Sequence, residues 1–249
     1  ASKMMIQDVR FIPISALKGN NVIHRSKHMD WYQAAPLLHT LETIHIGSDI
    51  NKIDARFPVQ TVIRPQSEEH IDYRGYAGRL QSGRIKKNDE VMLMPSGFTS
   101  KIKSINLGEK EIEEAFAPMS VAVTLEDDID VSRGDMIVRK NNLPTKTQEI
   151  DAMICWLGNE PYQPRTKFVI QHTTNEQTAM IRNIVYKVDI ETLNRVTDDN
   201  NIQMNDIARI QIKTAGPVMI DEFNSNRQTG SFILVNPNTN ETIAAGMII

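Results

Sequence analysis

Apolar and polar residues alternate through most of this chain, and helical spacing is found in a single stretch. Alternation of period two marks strands with one buried face, whereas apolar positions three and four apart mark one face of a helix. Residues 9–14 (VRFIPI) predict a short buried strand, followed at once by Ser15, Ala16, Leu17, Lys18 and Gly19. After a polar loop at 20–30, Leu37, Leu38, Leu41 and Ile44 fall at i, i+1, i+4 and i+7, on one helical face. Pro36 suits the first helical position, where a missing N–H costs nothing. Residues 47–55 are polar and aperiodic, the composition of a linker.

From Arg56 onward helix signals nearly vanish. Residues 57–64 predict a strand with Val59, Thr61 and Ile63 on one side. The stretch 71–94 predicts a hairpin: a strand through Tyr73, Gly75, Ala77 and Arg79, a tight reversal at Ser82 and Gly83, and a second strand around Val91 and Leu93. Gly83 offers the positive φ of a turn, and Gly75 and Gly78 suggest bends or close backbone approach. Strands at 100–106, 120–125 and 136–138 follow, with a turn at 132–135. A second linker at 141–145 opens another series at 149–157, 167–172, 178–188, 208–214, 230–235 and 242–248. Short strands at such spacing predict a mainly β fold with two consecutive β-barrels, at 52–143 and 146–249, preceded by a strand-and-helix piece at 1–47.

Composition narrows the function. A net charge of −3 implies no strongly basic face, which argues against bulk nucleic-acid binding. The one cysteine, Cys155, excludes an internal disulfide and fits a reducing, cytoplasmic setting. Its apolar neighbours predict a buried structural thiol rather than a nucleophile. No run of about eighteen apolar residues is present to cross a membrane as a helix.

Candidate chemistry is sparse, and no catalytic residue or metal site is expected. His24 and His28 lack an acidic third ligand and read as solvated loop histidines, while His39, His45, His70 and His172 read as surface or interface residues. Arg84, Lys86, Lys101 and Lys103 could form a basic stripe. The acidic residues at 109–114 and 126–130 instead favour a solvated, charge-balanced outer face. Asp127, Asp128 and Asp130 do not have the spacing of a calcium loop. Trp31 and Tyr32 could stack on a partner or make a satellite core contact.

The sharpest signal is the run from Phe11 to Lys18, because a strand ending in Ser-Ala-Leu resembles the close of the guanine pocket in P-loop GTPases. The segments Arg74-Gly75-Tyr76-Ala77-Gly78-Arg79 and Val131-Ser132-Arg133-Gly134-Asp135 resemble the second-domain signature and closing segment of translation-factor GTPases. Leu38-His39-Thr40-Leu41-Glu42, Phe57-Pro58-Val59-Gln60 and Thr229-Gly230-Ser231-Phe232 are more closely similar to the large GTPase subunit of bacterial sulfate adenylyltransferase. That resemblance implies translation-factor-type barrels after a remnant of an α/β GTPase domain, in which Ser15, Ala16 and Leu17 are what is left of the guanine site. It implies GTP and Mg²⁺ in the parent subunit, with neither expected on this chain, which has no G-x-x-x-x-G-K-[ST] phosphate loop. It also implies a small catalytic subunit as partner, no membrane and no nucleic acid. The alternative within the superfamily is an elongation-factor barrel that binds aminoacyl-tRNA.

Overall fold

The computed structural model describes residues 9–44, 50–65 and 73–249. His45, His70 and the start of the 71–94 stretch lie outside them. Contacts divide the chain into two units, Ala1–Ser48 and Asp49–Ile249.

In the first unit the described residues hold one helix, α1 (Leu37–Thr43). Pro36 is its N-cap in extended conformation, one position earlier than the pattern suggested. The run 9–14 forms no strand, and Phe11 is 85% exposed. A strand needs a hydrogen-bonded neighbour, and among the described residues of this unit the only pairings are the isolated bridges Ser15–Asn20 and Asn20–His24. Among these residues only Asn21 is buried. Its side chain donates to the Pro13 carbonyl and accepts from the Ser26 N–H, while its own carbonyl accepts from Leu37 N–H. Among the described residues of this unit, an asparagine at positive φ is thus the buried centre of the hydrogen bonding.

The second unit begins with β1 (Arg56–Ile63), β2 (Gly75–Arg79), β3 (Arg84–Lys86), β4 (Glu90–Met94) and β5 (Thr99–Leu107). It continues through β6 (Lys110–Ile112), β7 (Glu114–Phe116), β8 (Ser120–Leu125) and β9 (Met136–Arg139). The sheet order is β4-β9-β1-β2-β8-β5-β6, and pairing of β4 with β5 closes a barrel. β3 and β7 form a separate two-stranded sheet.

The predicted hairpin is therefore corrected. β2 pairs with β1 and β8, β3 with β7, and β4 with β9 and β5, so the strands flanking Gly83 are not partners. Gly83 has φ +68°, and a Cβ there would lie 2.6 Å from Ala55 N, so the turn packs on the chain entering β1 instead of folding its own strands together. Bulges break the alternation elsewhere. The register shift between Val59 and Thr61 turns Val59 and Val62 inward, so Val59, Thr61 and Ile63 do not share a face. A second shift, between Ile102 and Ser104, lets Ile102 and Ile105 both reach the core. Gly78 sits where two strands approach closely, since a Cβ would lie 2.3 Å from the Pro58 carbonyl oxygen.

The second set of strands is β10 (Thr145–Trp156), β11 (Lys167–His172), β12 (Asn175–Val188), β13 (Arg195–Val196), β14 (Ile207–Ile220), β15 (Ser231–Val235) and β16 (Thr242–Ile248). Its order is β11-β15-β16-β10-β14-β12-β13, with β11–β12 pairing to close the ring. Closed rings leave few free strand edges and deform little. Ile150, Ile154, Trp156, Phe168, Ile170 and Ile210 fill this barrel, and the Trp156 ring meets those of Tyr162 and Phe168 edge-on at 5.9 and 6.0 Å. Each such side chain contributes about 1.5–3 kcal/mol by leaving water. Met94, Met136 and Val138 of the first sheet also cluster with Met219 of β14.

Candidate functional site

Ser15, Ala16 and Leu17 occupy a surface turn. Ser15 N–H donates to the Asn20 carbonyl at 3.2 Å, and the Ser15 hydroxyl accepts from Lys18 N–H at 3.4 Å. Leu17 stands out at 95% exposure and Ala16 is exposed beside it. The hydroxyl braces the loop. His24 and His28 are exposed, and among the described residues no group of three or more His, Cys, Asp or Glu side chains could hold a metal. Trp31 is exposed and meets Tyr32 edge-on at 6.3 Å.

On the first barrel, Arg84 and Lys86 both face Glu114, at 3.5 and 3.6 Å, whereas Lys101 and Lys103 belong to β5 in a different sheet. The four cations form no single stripe. Arg74 pairs with Asp128 and Arg64 with Asp130, so two of the four carboxylates at 126–130 have a cation beside them. Cys155 is half-buried and faces outward, correcting the buried thiol expected from its neighbours. The phase of β10 sends Ile154 and Trp156 into the core and leaves Met153 and Cys155 along an apolar groove of about 740 Å³ shared with Ala245 and Met247.

The densest polar chemistry lies where the two barrels meet. Arg56, the first residue of β1, is buried. Its guanidinium makes a two-pronged pair with Asp221, just after β14: Nε donates to Oδ2 at 2.8 Å and Nη2 to Oδ1 at 2.9 Å. Nη1 donates to the carbonyl and side-chain oxygens of Asn142, both at 2.9 Å, and to the Ala55 carbonyl at 3.1 Å. Asp221 Oδ2 also accepts from the Thr229 hydroxyl. Beside this pair, Asn226 Nδ2 donates to the Ser82 hydroxyl at 2.7 Å, and Ser82 donates to the Asp54 carbonyl. A further link joins Asn175 Nδ2 to the Gly134 carbonyl at 3.2 Å.

His172, expected as a surface or interface residue, belongs to this joint and not to the solvent-exposed surface. It is buried, and its Nε2 lies 2.7 Å from the Thr229 carbonyl. A carbonyl can only accept, so Nε2 carries the proton. Burial pushes the imidazole below its ordinary pKa, against the opposing pull of the Thr229 carbonyl and the Asp221 carboxylate. Sequence reasoning missed Arg56 and Asp221 because a single charged residue at the end of an apolar strand carries no periodic signal. The arrangement pairs the Arg56 guanidinium with the Asp221 carboxylate internally and ties the two barrels together.

Residues 149–249 match the family described as GTP-eEF1A C-terminal domain-like. The bifunctional enzyme CysN/CysC of Mycobacterium tuberculosis H37Rv is 45% identical over 250 residues, covering 100% of this chain and 41% of that protein. Sulfate adenylyltransferase subunit 1 of Bacteroides thetaiotaomicron is 45% identical over 252 residues, covering 98% of this chain and 51% of that protein. The same-named protein of Bacteroides fragilis YCH46 is 46% identical over 244 residues, with 98% and 50% covered. This chain thus spans about half the length, or less, of these relatives. Among solved structures, sup35 complexed with GDP superposes with a TM-score of 0.71 at 23% identity, covering 98% of this chain and 59% of that one. That likeness shows the fold, a pair of translation-factor-type barrels.

Proposed function

We propose a function from the premise that this chain belongs to the sulfate adenylyltransferase subunit 1 family: it is the barrel portion of a regulatory GTPase subunit. In that role GTP hydrolysis is coupled to formation of adenosine 5′-phosphosulfate from ATP and sulfate in the cytoplasm. Adenylyl transfer takes place on a separate small catalytic subunit, and the barrels position the nucleotide-binding part of the subunit against it. GTP and Mg²⁺ belong to the whole subunit. Ser15, Ala16 and Leu17 would border the guanine, and this chain by itself would hold neither group, having no phosphate loop.

The observation that carries this reading is the likeness to proteins named sulfate adenylyltransferase subunit 1 along essentially the whole chain. The internally paired junction at Arg56 and Asp221 supports it, because a positioning arm needs rigidity and no reactive groups. Shared barrels alone would suit a translation factor equally well. The test is synthesis of adenosine 5′-phosphosulfate by the full-length protein with its small subunit, with and without GTP. The reading expects synthesis to rise with GTP hydrolysis. A folded pair indifferent to GTP would refute it, as would salt-sensitive binding of charged tRNA in its place.

A further inference from the structure

Asn51 lies in the stretch that leads into β1, five residues before Arg56, and bonds to both barrels. Its backbone carbonyl accepts from Gly83 N–H at 2.7 Å, in the turn between β2 and β3. Its side-chain Nδ2 donates to the Ser225 carbonyl at 3.0 Å, in the segment after β14, and to Asp54 Oδ2. Its Oδ1 accepts from the N–H groups of Ile53 and Asp54, both at 2.9 Å. Both donors and the acceptor of this amide are therefore used, and one side chain makes a local turn and grips the second barrel at once. The neighbouring Asn226–Ser82 and Arg56–Asp221 contacts join the same two bodies. Asn51 thus ties the entering chain to both barrels, by one hydrogen bond to Gly83 and one to Ser225.

We propose that Asn51 is a positioning residue for coupling: it fastens the incoming chain to both barrels, so that a displacement arriving from the preceding part of the subunit acts on the pair as one body. The proposal rests on the function proposed above and adds a residue to it. Asn51→Asp is the discriminating variant. It keeps the oxygen that accepts from Ile53 and Asp54 but loses the donor to Ser225, and it sets a second carboxylate beside Asp54.

The experiment follows GTP hydrolysis and adenosine 5′-phosphosulfate formation in parallel, in the full-length subunit with its catalytic partner. The basal rate of GTP hydrolysis should be unchanged in Asn51→Asp, while product formed per GTP hydrolysed falls about fivefold, the weight of one lost hydrogen bond. Asn51→Ala should fall at least as far, and the exposed neighbour change Lys52→Ala should leave the ratio as it is. If either Asn51 variant fails to fold, the other supplies the measurement, with thermal melting as the check. Wild-type coupling with an unchanged ratio in a folded Asn51 variant overturns this proposal alone. A wild-type pair without any GTP effect overturns the functional reading and this proposal with it.

Discussion

Replacing Arg56 by alanine tests the joint between the barrels most severely. The substitution leaves the Asp221 carboxylate, whose side chain is only 12% exposed, without its cation, and strips Asn142 and Ala55 of their donors. Removing one partner of a buried ion pair costs about 3–5 kcal/mol, since the other charge stays desolvated. Against a total stability of about 5–15 kcal/mol, that is a large fraction. Urea unfolding followed by the fluorescence of Trp156, which sits in the second core, should show the midpoint falling accordingly. The double replacement Arg56→Met with Asp221→Leu removes both charges and should cost less than Arg56→Ala alone, as buried pairs exchanged for apolar residues often do. A loss under about 1 kcal/mol for Arg56→Ala, or additive losses for the two sites, would refute the reasoning.

Other perturbations have equally definite outcomes. Gly78→Ala places a Cβ against the Pro58 carbonyl and should lower the unfolding midpoint by the equivalent of about 1–3 kcal/mol, read by calorimetry; an unchanged midpoint contradicts the close approach. Gly83→Ala combines a φ of +68° with a clash on Ala55 and should destabilise by more than about 1 kcal/mol, whereas Gly97→Ala, at positive φ but in open space, should cost less. His172 carries a pH dependence of definite sign. Its folded pKa is lowered from 6.5, so above that value neither state binds the proton and stability is complete. Below it the unfolded chain takes up a proton that the folded chain resists, and stability falls with pH. Urea midpoints measured between about pH 7.5 and 5 should therefore fall more steeply for the wild type than for His172→Gln; equal slopes would rule out a buried neutral imidazole.

Much of the strand content was legible because alternation is a direct record of which face is buried. Strands β8, β11 and β16 begin and end where the pattern places them, each with one face toward a core. Pairing was harder to read. The Ser82–Gly83 reversal looks like a hairpin, yet its flanking strands find partners far along the chain, a choice made by barrel closure that local turn chemistry does not record. Bulges at β1 and β5 shift the phase by one residue, so apolar residues three apart still share a core face. Residues 9–14 and the leucines of α1 carry apolar signals, yet none of them is buried. The joint was the least legible feature: Arg56 and Asp221 are 165 positions apart, and only the folded chain brings them together. At Ser15, Ala16 and Leu17 the residues pointed to guanine solely through family likeness, and the structure gives them a place on a surface turn.

The most direct measurement is titration of this chain with the small subunit of sulfate adenylyltransferase from the same genome, by calorimetry or sedimentation, beside a parallel titration with charged tRNA across a salt series. A barrel arm of the regulatory subunit should form a saturable complex with the small subunit and show no tRNA binding. Folded partners that never associate, with tRNA captured at low salt and released at high salt, would contradict the account.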